Sequence, residues 1–117
     1  MKESLLKIKS YAFSVRIVKL CQYLNKEKKE FLLSKQVLRS GTGIGALVRE
    51  AEFGQSRADF INKLSIALKE ANETSYWLSL LKDTGYIKDE EFISLSMDCD
   101  EIIKILVVSV KTAKNNK

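Results

Sequence analysis

The chain contains no proline, and this absence constrains its fold more than any other feature of the sequence. Proline interrupts an α-helix because its ring removes a backbone N–H donor and clashes with the preceding turn. Every segment of the 117 residues can therefore continue as helix. Glycine is also sparse, with five residues, three of which fall in one cluster. A β-rich chain needs more turn residues, spread more evenly, so the pattern indicates an all-helical protein.

Apolar residues recur at three- and four-residue intervals in four segments, separated by short breaks. This spacing places apolar side chains on one face of a helix. The segments predicted to be helical are 10–25, 30–53, 56–84 and 89 into the lysine-rich tail. Short connections between long helices favour antiparallel neighbours. The sequence predicts an all-α, antiparallel up-down-up-down four-helix bundle, formed by a single domain of residues 1–117.

Individual residues mark the ends of these helices. Ser10 is suited to begin the first helix as its N-cap. Residues 1–9 are then left as an extended arm with three apolar side chains that could pack down, namely Leu5, Leu6 and Ile8. Ser56 followed by Asp59 resembles a capping box and predicts the start of the third helix. Gly85 is placed to end that helix in the left-handed conformation.

Positive charge is concentrated at the two ends of the chain. Residues 1–35 carry a net charge of +6 and residues 111–117 carry +3, whereas residues 36–110 carry −4. In the predicted topology, both chain ends and the turn between the second and third helices meet at one end of the bundle. Eight basic residues would gather there: Lys2, Lys7, Lys9, Arg49, Arg57, Lys111, Lys114 and Lys117. This distribution fits either general solubility or an anionic partner such as nucleic acid.

The sequence offers no catalytic or metal-binding apparatus. Histidine is absent, which removes the commonest general base and a frequent metal ligand. Cys21 and Cys99 lie far apart in apolar surroundings, as buried, reduced thiols do. We therefore expect no enzymatic activity, no metal and no cofactor. The chain has no signal peptide and no apolar run of about 18 residues, so we expect a cytoplasmic protein that does not enter the membrane.

Three glycines, Gly41, Gly43 and Gly45, lie inside the predicted second helix. Each should cost that helix about 1 kcal/mol relative to alanine, so another interaction must offset the loss. Close approach of a neighbouring helix is the favoured explanation. A phosphate-binding loop is disfavoured because no strand precedes the glycines and no Gly-Lys-Ser/Thr motif follows them.

Charged and aromatic residues in the two central helices are assigned structural roles first. Arg39 lies in an apolar helix, and Glu70 and Glu73 lie on the helix that should run alongside it. An interhelical ion pair is the favoured interpretation, and direct contact between Arg39 and RNA is the alternative. Trp77 and its neighbour Tyr76 are expected to pack in the core or at a subunit interface, since a base-stacking platform needs several exposed aromatic residues beside basic ones.

A series of short motifs resembles the bacterial four-helix-bundle family named for proteins encoded in intervening sequences of large-subunit ribosomal RNA genes. In chain order the motifs are Lys9-Ser10, Leu38-Arg39-Ser40-Gly41, Ile44-Gly45-Ala46, Glu50-Ala51, Asp59-Phe60-Ile61, Ile66-Ala67-Leu68-Lys69-Glu70-Ala71, Glu73-Thr74, Tyr76-Trp77-Leu78 and Gly85-Tyr86-Ile87. The same superfamily includes the accessory variability protein of diversity-generating retroelements. Gly43 and Leu47 depart from the pattern, in which serine and asparagine are usual.

This resemblance implies a bundle that assembles into a ring, commonly a pentamer. The retroelement relatives resemble basic rings that bind a reverse transcriptase and its template RNA. The residues agree at two points, because the first predicted helix has an unusually wide apolar face and positive charge is clustered. A monomer stays open as an alternative, since a chain of this length can bury a core unaided.

We therefore expect a non-enzymatic, oligomeric accessory protein that binds RNA or DNA, with a reverse transcriptase as a candidate partner. The candidate nucleic-acid contacts are Lys7, Lys9, Arg16, Lys19, Lys111 and Lys114. The residues given structural roles are Arg39, Gly41, Gly43, Gly45, Glu70, Glu73 and Trp77. The alternative is a protein–protein interaction scaffold without a nucleic-acid role, whose basic surface meets an acidic protein or confers solubility.

Overall fold

A computed structural model of the protein describes residues 4–115, which form four α-helices joined by short connections. The helices are α1 Leu5–Glu27, α2 Leu32–Glu52, α3 Arg57–Asp83 and α4 Asp89–Asn115. No strand occurs among the described residues. The predicted all-α fold class is confirmed.

Each helix packs against the next along the chain, and α4 closes the bundle by packing against α1. The connections 28–31, 53–56 and 84–88 are too short to cross the bundle, so neighbouring helices run antiparallel. The predicted up-down-up-down four-helix bundle is thus confirmed. As a result, the start of α1, the end of α4 and the α2–α3 turn lie at the same end of the molecule.

The first helix begins earlier than the sequence predicted. Its N-cap is Ser4, whose Oγ accepts a hydrogen bond from the backbone N–H of Lys7 at 2.9 Å. Ser10, the predicted N-cap, is buried inside α1 and donates to the carbonyl of Lys7. The predicted extended arm was wrong for residues 5–9, which belong to α1, because Leu6 continues its buried stripe; residues 1–3 of that arm lie outside the described residues. Its neighbours Leu5 and Ile8 are helical and exposed.

The second helix begins at Leu32, two residues after the predicted position; its N-cap residue, Phe31, makes no side-chain cap hydrogen bond, and the Glu30 carboxylate supplies these bonds instead. The Glu30 carboxylate accepts from the backbone N–H groups of Leu32 at 3.1 Å, Leu33 at 2.8 Å and Ser34 at 2.8 Å. These N–H groups have no partner within the helix. A buried carboxylate therefore takes the role of the usual N-cap side chain, and its charge lies at the positive end of the helix dipole.

Both ends of α3 carry the signals that the sequence indicated. The Oγ of Ser56 accepts from the backbone N–H of Asp59 at 3.1 Å, as in a capping box. At the other end, Gly85 adopts a φ of +83°. The backbone N–H groups of Gly85 and Tyr86 then donate to carbonyls of the last helical turn. This pair of hydrogen bonds ends the helix in the manner predicted for glycine.

The core is apolar and includes both cysteines. Fully buried side chains come from all four helices and include Ile17, Ile44, Leu78 and Leu106. Cys21 and Cys99 are free thiols within this core.

Both thiols remain protonated near neutral pH. Burial raises the pKa of Cys21 to about 11, helped by the negative charge of Glu30. Burial likewise raises the pKa of Cys99 to about 12. Residues 4–115 contain no cluster of side chains suited to hold a metal ion. Within that range, no helix combines the length and apolar character needed to cross a membrane.

Candidate nucleic-acid interface

The glycine cluster sets how closely α1 and α2 approach each other. A Cβ atom built on Gly41 would lie 2.9 Å from both Cγ atoms of Ile17. One built on Gly45 would lie 3.2 Å from the Oγ of Ser14. Gly43 instead faces α3, where an added Cβ would meet only ordinary van der Waals contact. Gly41 and Gly45 therefore permit close α1–α2 packing, whereas Gly43 does not contribute to it.

A surface groove follows the α1–α2 seam where Gly45 leaves space. It has a volume of about 350 Å³ and is lined by Lys7, Ser10, Tyr11, Ser14, Thr42, Gly45, Ala46 and Arg49. A second depression beside it is bounded by Lys7, Ile8, Tyr11 and Arg49. Tyr11 is 65% exposed at this opening. Among residues 4–115, no acidic residue lines either depression.

The groove opens toward the end of the bundle at which α1 starts and α4 stops. Arg57, the first residue of α3, donates to the backbone carbonyl of Ala113 at 3.2 Å, which ties the start of α3 to the end of α4. We call this region the basic end and define it by Lys7, Arg49, Arg57, Lys63, Lys111 and Lys114. Three acidic residues lie among them, Glu50, Glu52 and Asp59. Of the other residues that the sequence placed here, Lys2 and Lys117 lie outside the described residues, and Lys9 lies at the α1–α4 seam in an ion pair with Glu101.

The six predicted nucleic-acid contacts do not form one surface. Lys7, Lys111 and Lys114 lie at the basic end, where Lys7 also pairs with Glu52 at 3.2 Å. Lys19 is exposed on α1. At 1.5 Å per residue it lies roughly 18 Å from Lys7 along the helix axis.

Two of the six contacts, Lys9 and Arg16, lie along the seam between α1 and α4. Lys9 forms an ion pair with Glu101 at 3.1 Å, and Arg16 forms one with Asp98 at 2.6 Å. Arg16 also donates to the side chain of Ser94 at 3.0 Å. Both cations therefore have acidic partners in the bundle, which reduces the charge they offer to another molecule.

Sequence reasoning placed Arg49 at the basic end without counting it as a contact, and it missed Tyr11. The signal for Tyr11 was its position one helical turn after Lys7, on the outer side of an apolar stripe. Its relation to Arg49 depends on the pairing of α1 with α2, which sequence spacing does not reveal.

Arg39 lies on the outer face of α2, at the seam with α3. It forms ion pairs with Glu70, at 3.1 Å, and with Glu73. The Nε1 of Trp77 donates to Glu73 at 2.9 Å. Arg39 is about half exposed, so these pairs add little stability, although they link α2 to α3. Trp77 is partly buried against the core, and the adjacent Tyr76 points outward.

The contacts among Arg39, Glu73 and Trp77 predict that the fluorescence of Trp77 depends on pH. The hydrogen bond from Trp77 and the charge of Arg39 lower the pKa of Glu73. A lowered pKa means that the carboxylate stabilises the fold above its unfolded-state pKa and loses this effect as pH falls through the folded-state value. Because Trp77 is the only tryptophan, its fluorescence should change over that acidic range. Glu73→Gln should abolish the change and Glu91→Gln should preserve it; an unaltered titration in Glu73→Gln would contradict the assignment.

Comparison with known proteins agrees with this fold. A family model described as 23S rRNA-intervening sequence protein matches residues 2–108. The chain is also similar to the crystal structure of a protein of unknown function from the S23 ribosomal protein family of Bacteroides thetaiotaomicron VPI-5482. The two are 60% identical, with 92% of this chain and 99% of that chain covered and a TM-score of 0.91. No curated protein matches the chain. The match over nearly the whole sequence shows that this chain belongs to the 23S rRNA-intervening sequence protein family.

Proposed function

We propose that the protein is a non-enzymatic accessory factor that binds RNA through the basic end of the bundle. The observation that carries this proposal is the convergence of Lys7, Arg49, Arg57, Lys111 and Lys114 from three parts of the chain. Such clustered positive charge attracts nucleic-acid phosphates. The family name, which refers to an intervening sequence in 23S rRNA, is consistent with RNA as the partner.

Binding to a structured RNA should weaken steeply with salt, because each phosphate contact releases counterions. A variant with Lys7, Lys111 and Lys114 changed to glutamine should bind more weakly. Its plot of log affinity against log salt should lose about one unit of slope for each contact removed. The charge-matched control changes Lys26, Lys28 and Lys35, at the opposite end, to glutamine and should bind like the unmodified protein. Equal losses in the two variants would contradict binding at the basic end.

The other three candidate contacts belong to the same proposal and need their own variant. Lys9, Arg16 and Lys19 lie on α1 and are not among the residues that define the basic end. The RNA affinity of a variant with all three replaced shows whether the contact surface extends along α1 or is confined to the basic end. A smaller loss than in the first variant is expected, because Lys9 and Arg16 already have acidic partners.

The protein is proposed to act as a ring of identical subunits, with five as the number that the family resemblance implies. Two helix exteriors support self-association because they expose apolar side chains, which on soluble proteins often mark interaction sites. These side chains are Ile8, Val15 and Val18 on α1 and Ile93, Met97 and Val108 on α4. Met97 is 67% exposed.

The contacts between α1 and α4 show which residues of the two helices lie at the same height along the bundle axis. Lys9 contacts Glu101 and Arg16 contacts Ser94 within one subunit, so α1 and α4 run antiparallel with matched positions. The rotation that relates ring subunits, about an axis parallel to the bundle, does not change the height of any residue along that axis. In a closed ring, the α1 exterior of one copy would therefore meet the α4 exterior of the next in the same register.

This register brings apolar residues together. Val15 would lie level with Met97 of the next copy, and Val18 level with Ile93, to within one helical turn. A symmetric dimer through two α1 exteriors is less favourable. Residues 5–26 contain several basic side chains and no carboxylate, so two α1 helices would oppose like charges.

Met97→Glu tests the ring. It should shift the protein toward monomers in light scattering at micromolar concentration, since a carboxylate would be buried at the subunit contact. Asn72→Glu, on the exposed face of α3, is the matched control and should keep the assembly. A monomeric unmodified protein would overturn the ring, and an unchanged Met97→Glu assembly would overturn this interface.

A protein-interaction scaffold is the second candidate function. The ion pairs of Lys9 and Arg16 favour it, because they leave less positive charge available for nucleic acid. The absence of RNA binding at low salt would support this candidate. A reverse transcriptase is the protein partner that the resemblance suggests, and joint purification of the two proteins would test it.

A further inference from the structure

We propose that the α1–α2 groove holds one unpaired nucleotide of a bound RNA, with its base against Tyr11 and its phosphate at Arg49. The proposal rests on the RNA-binding function proposed above and names the element of RNA that the basic end would recognise. Tyr11 lies on the same outward face of α1 as Val15 and Val18, and Ile8 bounds the second depression, so the groove adjoins the proposed subunit contact on its α2 side.

The groove combines the two features that a nucleotide requires. The exposed ring of Tyr11 offers a flat apolar surface for a base, and stacking of this kind tolerates any base. Arg49 lies across the opening on the last turn of α2, is exposed, and has no ion pair within residues 4–115. Its guanidinium suits a phosphate group. Lys7 adds positive charge, partly balanced by Glu52.

Size and lining point to a single unit of the RNA chain. The volume of about 350 Å³ falls at the lower end of the range for small-molecule sites. Gly45 and Ala46 keep the floor low because they carry small side chains or none. A base within a duplex is already stacked on its neighbours, so the groove suits a loop, a bulge or a single strand.

The hydroxyl groups of Ser14 and Thr42, which line the groove, also predict which bases it prefers. The hydroxyl of Ser14 donates to the carbonyl of Ser10 at 3.0 Å, and that of Thr42 donates to the carbonyl of Leu38 at 2.6 Å. With their hydrogens engaged, both hydroxyl oxygens remain available only as acceptors. They would accept from the exocyclic amine of adenine, cytosine or guanine, which carries two N–H donors, whereas uracil offers only its single imide N–H. The groove should therefore prefer bases with an exocyclic amine, such as adenine, to uracil.

The test measures fluorescence anisotropy of labelled single-stranded oligoadenylate and oligouridylate with the full-length protein. Tyr11→Leu should weaken oligoadenylate binding roughly tenfold or more and reduce the preference over oligouridylate, whereas Tyr11→Phe should bind normally. Arg49→Gln should weaken both oligonucleotides. Tyr76→Leu is the matched control, because Tyr76 is 60% exposed on α3, away from the groove. Circular dichroism of each variant checks that the bundle is intact.

The possible outcomes distinguish the nucleotide site in the groove from RNA binding at the basic end. Equal affinities for Tyr11→Leu and Tyr76→Leu would overturn the nucleotide site. If the triple lysine variant at the basic end still lost binding, RNA binding itself would stand. No binding of any RNA by the unmodified protein would overturn both. Displacement of RNA by oligoglutamate, with Tyr11→Leu unaffected, would also overturn the nucleotide site and identify an acidic protein as the occupant.

Discussion

Replacement of Gly41 by leucine is expected to destabilise the protein by about 3 kcal/mol, because α1 and α2 would have to separate. Even the first added atom would lie 2.9 Å from both Cγ atoms of Ile17, closer than carbon atoms tolerate. Ile17 is fully buried and branched at Cβ, so it has no free rotamer into which to retreat. The expected loss should appear as a lower midpoint in urea unfolding followed by circular dichroism.

Gly43→Ala is the control from the same helix, and it should stabilise the protein rather than destabilise it. An added Cβ at this position would lie 3.4 Å from the Oε1 of Glu70, an ordinary contact. Alanine favours a helix over glycine by about 1 kcal/mol, so the variant should be stabilised by up to that amount. Destabilisation of similar size at Gly41 and Gly43 would contradict the assignment of close packing to the α1–α2 seam.

Glu30→Ala is expected to cost about 2 to 3 kcal/mol, which is more than a typical helix cap contributes. The carboxylate satisfies the backbone N–H groups of Leu32, Leu33 and Ser34, and alanine offers none of them a partner. Glu30 and Ser34 are buried, so water replaces the hydrogen bond between them poorly. The loss should be visible in the same urea experiment.

Glu27→Ala provides the matched control, since Glu27 is an exposed carboxylate at the end of α1. A negative charge near a helix C-terminus is slightly unfavourable, so its removal should change stability little. If Glu30→Ala were as stable as Glu27→Ala, the three hydrogen bonds would not contribute as described.

Most of the fold followed from local sequence signals. These signals are the absence of proline, the apolar periodicity, Ser56 and Gly85. Each acts within one or two helical turns, so it can be recognised from the sequence without tertiary structure. The start of α1 was mispredicted because Ser4 and Ser10 are equally good caps in isolation. What decides between them is tertiary, since Leu6 is buried in the core and Ser10 packs against α2 beside Gly45.

The candidate site was less accessible to sequence reasoning. Counting charges along α1 identified Lys9 and Arg16 but not the acidic residues on α4 that lie at the same level in the folded bundle. Tyr11 and Arg49 come together for a similar reason, because their proximity is produced by the packing of α1 against α2. Sequence reveals which side chains are available, whereas interhelical register determines which of them face one another.

The start of α1 and the end of α4 lie at the same end of the bundle, and this affects how the protein should be handled. Ser4 and Asn115 lie at the basic end, beside the residues proposed to bind RNA. An affinity tag or fluorescent label fused at either terminus would therefore crowd the surface under study and could mimic a loss of affinity. The connections 28–31 and 84–88 lie at the far end of the bundle. A label attached there would report on binding without obstructing it.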